Sequence, residues 1–563
     1  MLMEWAYETQ LLSSGKRTKQ DYDKWRYSYS NKCLLKKAEK PKEWTFERIY
    51  DIIKCKEKTE NKKKACMKMY RFNREQQISL TDFNQPLGMK LNANNRWVKK
   101  AAMIPWDAIE EKYAKLFASN KGMPAKPLRM ALGSLLIQKE YDYADRELTE
   151  QIRENPYYQY FIGLPGYEDK IPFVPSLLVE FRKRLSEEVL NEINEMIIEY
   201  NAPKDNNNDK GNSGSSGSSD KAEETKESKA NNKGTMILDA TCAPQNIKYP
   251  QDIELLNESR EKLEQIIDRI CKDYSYYKPR MYRKNARKDY LALAKCRKRG
   301  GKKLRKAIRK QLQYVRRDLG YIENFMKCVD VELTEKECVL LDTIEKVYEQ
   351  QLYMFENRTH SVDDRIVSIS QPYIRPIVRG KAKSPTEFGA KLDLSVDENG
   401  MSRIEKLSFD AYNECTVLQS AIENYRKRTG HYPERVLADT IYRNAKNKTF
   451  CQRLGIRLSG KRLGRPKKDV DNKAEKKIAY QDNTDRIEVE RRFSIAKRKF
   501  GLGLLLTKRE DNTRTSIVLS VIAMNISRLA AMFLRFFIRL INAPFLNIHL
   551  SEYYPQSHCV CFY

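Results

Sequence analysis

Three carboxylates stand where their surroundings suit chemistry. Met236-Ile-Leu-Asp239 is a short apolar run ending in an acid, and Arg435-Val-Leu-Ala-Asp439 is another. Each reads as a buried strand that delivers an aspartate at its end. The third acid lies on a helix expected from about Asp485 to Phe500. At roughly 100° per residue, Arg486 lies about 40° and Lys497 about 20° from Glu490, so all three share one face, whereas Glu488 lies about 200° away. Glu490, flanked by two cations, is therefore the coherent choice over Glu488. Taken singly, an aspartate at a strand end also fits a turn or cap, and Glu490 also fits a salt-bridged helix face. Taken together, the three suit oxygen ligation of two divalent ions, which in phosphoryl transfer hold the attacking and leaving oxygens.

These residues need a sheet and a helix to bring them together. Arg365–Ser370, Glu387–Val396 and Ile404–Phe409 alternate apolar and polar residues and read as strands. Val417–Arg428 reads as a helix closed by Gly430, and Ile456–Leu458 as a short strand. Strands, one helix, a strand and then helices predict a mixed α/β sheet. Between the first aspartate and these strands the chain turns helical, with helix periods over Ile253–Ile270 and Leu340–Phe355. From Lys278 to Arg317, 18 of 40 residues are Lys or Arg and the only acid is Asp289. Interleaved apolar residues predict a helical pair with one basic face. That face is either a seat for phosphates or a solvated surface. Arg297, Lys302, Lys303 and Arg305 are its candidate DNA contacts.

Residues 105–200 read as helices, over Pro127–Ile137, over Asp145–Pro156 and over Phe181–Tyr200. A helix-turn-helix and a plain three-helix bundle both fit. Residues 201–235 are rich in Gly, Ser and Asn and read as a flexible linker dividing the chain. The expected organisation is a basic extension over 1–66, a helical DNA-binding domain over 67–200 and the linker. A core over 236–252 and 361–541 follows, with an insertion over 253–360 and a C-terminal tail over 542–563.

The 563 residues carry 106 Lys and Arg against 76 Asp and Glu, a net charge of +30. Such a surplus attracts polyanions, and the 40% hydrophobic content excludes wholesale disorder. Twelve cysteines without a CxxC pair, and only four histidines, do not supply a zinc site. They read as reduced thiols of a cytosolic compartment. No signal peptide is expected at the N-terminus. Ser516–Ile541 is apolar but interrupted by Arg528, Arg535 and Arg539, so a buried or amphipathic helix is expected there.

The order of these features resembles the insertion-sequence DDE transposases of bacterial mobile elements. The helix matches their Y-(2)-R-(3)-E-(6)-K signature at Arg486, Glu490 and Lys497, with Asn483 at the tyrosine position. Lys497–Gly503, Arg375–Lys391, Gly460–Lys468 and the helical stretch at 120–200 are similar too, so the resemblance spans residues 67–540. It implies an RNase H-like mixed-sheet catalytic core with a helical insertion, preceded by an α-helical N-terminal domain. It implies that Asp239, Asp439 and Glu490 are the catalytic ligands of two Mg²⁺ or Mn²⁺ ions. Arg486 and Lys497 would position terminal phosphates. The implied reaction is hydrolysis of a phosphodiester at the element's end, followed by attack of the 3′-OH on target DNA. The implied partners are double-stranded DNA, as terminal inverted repeats and target, and a second copy of the chain in a synaptic homodimer. No membrane is involved, and the implied location is the cytoplasm, at the nucleoid. Gly464-Arg-Pro-Lys-Lys resembles an AT-hook, or serves as a basic loop on phosphate, through Arg465 and Lys467. Two other functions stay open: a domesticated DNA-binding protein, and an RNase H-like nuclease without strand transfer.

Overall fold

The computed structural model describes residues 79–114, 125–202, 232–298, 300–327, 331–378, 386–460 and 472–541. The chain divides at Ile247 and Pro372 into two units. The larger joins Met67–Asn246 to Tyr373–Tyr563. Its sheet holds β1 (Thr235–Pro244), β2 (Arg375–Val378), β3 (Thr386–Val396), β4 (Ser402–Ser408), β5 (Arg435–Ala438) and β6 (Arg457–Leu458). The order is β2-β3-β1-β5-β6, and β4 also pairs with β3. β3 pairs antiparallel with β1, β2 and β4, whereas β5 is parallel to β1 and β6 to β5. Parallel strands need a crossover. A helix over Leu418–Thr429 supplies it between β4 and β5 and stops at Gly430, whose φ of +80° is the left-handed stop that glycine adopts without strain.

Alternation sorts the side chains of this sheet onto two faces. Met236, Leu238, Val436 and Ala438 pack with Leu418, Ala421 and Ile422 of the crossover helix. Ile237 and Leu437 belong to the other face, whose core includes Val489, Phe493 and Ala496. Those three lie on a long helix over Asn472–Lys499. Asp239 and Asp439 share the parity of Ile237 and Leu437, so the face that carries the aspartates is the face that carries this helix.

The same core takes in seven helices that precede the sheet: α1 (Arg96–Ala102), α2 (Trp106–Ala114), α3 (Leu128–Tyr141), α4 (Asp145–Glu154), α5 (Pro156–Phe161), α6 (Leu177–Arg184) and α7 (Glu187–Tyr200). The final helix, Glu510–Ile541, lies among them with Ile517, Val518, Ile522 and Ile526 buried. Its stretch Glu510–Phe533 is long and apolar enough to cross a membrane, but here that surface is core. Asn525 shows how tightly the parts join. Its Nδ2 donates to Asn194 Oδ1 at 2.9 Å and to Ser402 O at 2.8 Å, and its Oδ1 accepts from Ser402 N at 2.9 Å. One buried amide thus links α7, β4 and the final helix.

In chain order the smaller unit contributes α8 (Asp252–Asp273), α9 (Arg283–Ala294), α10 (Gly301–Met326) and α11 (Glu335–Glu356). The crossover helix Leu418–Thr429 is then α12, Ala445–Arg453 is α13, Asn472–Lys499 is α14 and Glu510–Ile541 is α15. Leu256, Leu263, Ile267, Val315, Ile322 and Ile344 form the smaller unit's core. A capping box of Thr334 and Glu337 starts α11.

Several expectations change. Arg365–Ser370 is not a strand: Ile366, Val367 and Ile369 are buried in an irregular segment. Ile366 N donates to Gln350 Oε1 at 2.9 Å, so side-chain amides replace a strand partner. The alternation there records one-sided burial against helices. Phe181–Tyr200 is two helices, broken at Leu185 (φ −86°, ψ 79°) and restarted by Ser186, whose side chain accepts from Val189 N. β1 does not end at Asp239 but runs on to Pro244 against β3. Helix α14 begins at Asn472, well before Asp485. β2 was not foreseen. The 1–66 extension, linker residues 203–231, Arg465 and Lys467, and the 542–563 tail lie outside the described residues.

Candidate active site

The parallel ladder between β1 and β5 ends at the pair Leu238 and Ala438. Asp239 and Asp439 are the next residue on each strand, so the backbone sets them side by side. Beyond that pair their surroundings diverge. Asp239 stays in the sheet opposite Leu394 of β3, with its side chain 17% exposed. Asp439 is exposed and caps the turn Thr440–Tyr442, accepting from Thr440 N at 2.7 Å.

Helix α14 brings the third acid. Val489, Phe493 and Ala496 hold it on the sheet, each large side chain gaining roughly 1.5–3 kcal/mol from burial. That registry turns Arg486 and Glu490 to the edge of the packed face. Arg486 Nη1 is 3.8 Å from Asp239 Oδ2, and Nη2 is 3.3 Å from Glu490 Oε1. Glu488 is engaged elsewhere, by Arg491 at 2.9 Å and by Arg492. Lys497 lies half-buried in the last turn. After it, Gly501 (φ +69°) ends the helix and Leu502 N donates to Ala496 O at 3.1 Å. A Cβ on Gly503 would sit 2.6 Å from Lys497 O. The KRKFGLG stretch is thus a helix stop that fixes the end of α14, with Phe500 and Leu502 buried.

Charge at the site is unbalanced towards the acid. The Asp239 carboxyl is pushed up to about 6, chiefly by burial. The Ala240 N–H and Arg486 oppose the rise, while the charges of Asp439 and Glu414 add to it.

Sequence reading missed Asp393. It faces Ala240 across the β1–β3 ladder, is fully buried, and accepts hydrogen bonds from Tyr412 Oη and Tyr442 Oη. Tyr442 closes the turn that Asp439 caps. Asp393 therefore ties the Asp439 turn to the strand beside Asp239. The one signal in the sequence is an acid inside an apolar strand, Leu392-Asp-Leu394, which needs a buried partner.

The donor set of two aspartates and a glutamate has the hard-oxygen chemistry that suits Mg²⁺ or Mn²⁺. Yet among the described residues no three His, Cys, Asp or Glu side chains close around a point that could hold an ion. Arg486 is the cation that Asp239 and Glu490 share in this structure.

The cations expected on the basic run belong to the smaller unit. Arg297 is exposed after α9, and Lys302, Lys303 and Arg305 are exposed at the start of α10. Arg305 stacks on Phe355 at 4.1 Å.

Comparison with known proteins supplies the rest. A family model described as a transposase domain (DUF772) matches residues 85–184, and one described as a transposase DDE domain matches residues 436–527. Both matches are to transposase domains, and they support the resemblance to the insertion-sequence DDE transposases. The DDE match contains Asp439 and Glu490, and the other match covers α1–α6. The uncharacterized protein ORF8 in the nfe locus of Rhizobium meliloti is 29% identical over 111 residues, 20% of this chain. The match spans about half of that relative, 53%. No solved structure matches significantly.

Proposed function

We infer that the protein is a DNA transposase in which Asp239, Asp439 and Glu490 carry phosphoryl transfer. The observation that supports this is that Asp239 and Asp439 follow the last pair of the β1–β5 ladder while Arg486 joins Asp239 to Glu490 of the helix. An antiparallel trio β1, β3 and β4, extended by parallel β5 and β6, supports an RNase H-like reading of the core. The three carboxylates would hold two Mg²⁺ or Mn²⁺ ions, which when bound activate water or a 3′-OH and stabilise the leaving oxygen. Asp239, held in the sheet, supplies the rigid ligand, and Asp439 is presented by its capped turn. Arg486 balances the acids in the free protein and turns to DNA phosphate when the charge on the acids is met otherwise. Lys497 lies about two turns further along the same face of α14, for a second phosphate. Exposed cations at the start of α10 sit at the positive end of a helix with no acid in its first turn, an arrangement that phosphate relieves. The DNA would be the element's terminal inverted repeats and its target, synapsed by a homodimer at the bacterial nucleoid.

The test uses a plasmid carrying the sequences that flank the gene, incubated with protein and Mg²⁺ or Mn²⁺. Wild type is expected to nick at the repeat ends and join them to target. Asp239→Asn, Asp439→Asn and Glu490→Gln should each abolish cleavage and still bind DNA. Substantial cleavage by Glu490→Gln would remove Glu490 from the site. Cleavage without joining would favour a nuclease.

A further inference from the structure

Helix α14 reaches well beyond the carboxylates. From Lys473 to Thr484 almost every residue is exposed, Tyr480 at 75%, while Asp482 is buried. Its charges are sorted by side. With Glu490 at zero and about 100° per residue, Asn483 falls near 20°, Lys476 near 40°, Tyr480 near 80° and Lys473 near 100°. On the same scale Asp485, Asp482 and Glu475 fall between about 220° and 300°. The acidic side is docked: Arg457 holds Asp482 at 2.6 and 2.8 Å, and Arg435 lies 2.8 Å from Asp485 and 3.5 Å from Asp482. Arginines on β5 and β6 thereby fix the helix's rotation and leave the lysine and tyrosine side outward. Towards the C-terminus that outward side continues past Ile487, near 60°, to Glu490.

We propose that this stripe is a seat for an unpaired DNA strand next to the scissile phosphate. Lys473 and Lys476 take backbone phosphates, and Tyr480 stacks on a base. The inference rests on the transposase reading and adds a strand path to it. Charge complementarity favours a polyanion on this side, and an aromatic ring standing between lysines is the arrangement that binds single strands. A paired helix fits less well. Of the exposed large aliphatic residues of α14, Ile478 lies about 160° round from Tyr480 and Ile487 alone shares its side, too few for an apolar seam.

Fluorescence anisotropy of the full-length protein tests this. The probes are two labelled duplexes of equal length, one blunt and one ending in unpaired arms. Wild type should bind the splayed duplex more tightly. Tyr480→Ala should lose about 5- to 100-fold on the splayed duplex, from the cost of one lost base stack. It should bind the blunt duplex unchanged, and Tyr480→Trp should restore the preference. The Lys473→Glu, Lys476→Glu double variant should lower the slope of log affinity on log salt by about 2. Equal binding of both probes by wild type would overturn the proposal. So would a Tyr480→Ala protein that keeps the preference, or one whose only change is in oligomeric state. Either result alongside wild-type cleavage that Glu490→Gln abolishes leaves the transposase reading standing; failure of wild type to bind or cleave any DNA removes both.

Discussion

Asp393 is the residue on which the geometry of Asp439 depends. Two tyrosine hydroxyls converge on its buried carboxylate, and burial pushes that carboxyl up. Asp393→Asn keeps the shape but gives up the charge-assisted bonds to the Asp439 turn. Because misplacing a catalytic group by about 1 Å costs on the order of 100-fold, cleavage should fall by about that factor. Affinity for DNA should stay as in wild type. Equal cleavage rates for Asp393→Asn and wild type would show that the Asp439 turn needs no such tie. At this scale the sequence was informative where acids end apolar runs, as at Asp439. It was silent at Asp393, because a buried acid's partners come from elsewhere in the chain. Glu490 was readable because Arg486 shares its helix; that Arg486 also reaches Asp239 was not.

Elements join through groups whose state depends on pH. Glu110 of α2 is fully buried and accepts from Leu128 N, the first residue of α3, at 3.1 Å. Burial, the largest cause, pushes its carboxyl up from 4.5 to about 7, against that N–H. A raised folded value means that its stability contribution is complete below about 4.5 and is lost as pH rises through about 7. Glu110→Gln keeps an acceptor for Leu128 N without the titration. It should therefore gain about 1–3 kcal/mol at pH 8 and almost nothing at pH 4, read by denaturant unfolding. A gain that is the same at both pH values would refute the charged-burial account. Helix and strand types were largely readable from periodicity: β3, β4, β5 and α12 lie close to their expected spans. Arg365–Ser370 was misread because alternation reports one-sided burial whatever the partner, and here the partners are helices.

In the larger unit, the helices before the glycine- and serine-rich segment share one core with the sheet and α15. Lys139 of α3 donates to Ser516, Arg514 of α15 lies 2.9 Å from Glu187 of α7, and Arg403 of β4 lies 2.9 Å from Glu195. Residues 67–202 expressed alone should therefore remain unfolded, because α15 and β4 complete their core. Circular dichroism and a cooperative melt decide it, and a sharp melt of the isolated fragment would sink the prediction. By itself the sequence determined the local signals: the apolar runs that end in acids, the shared helix face of Arg486, Glu490 and Lys497, the basic run of 278–317 and the surplus of thirty charges. Those follow from the periods of helix and strand, which act over a few residues. Only the tertiary structure decided that Asp239 and Asp439 are neighbours, that Asp393 anchors one of them, and that arginines on β5 and β6 turn the lysine side of α14 outward. These depend on strand pairing and buried charge partners across up to about 250 residues of chain, distances at which no local pattern carries information.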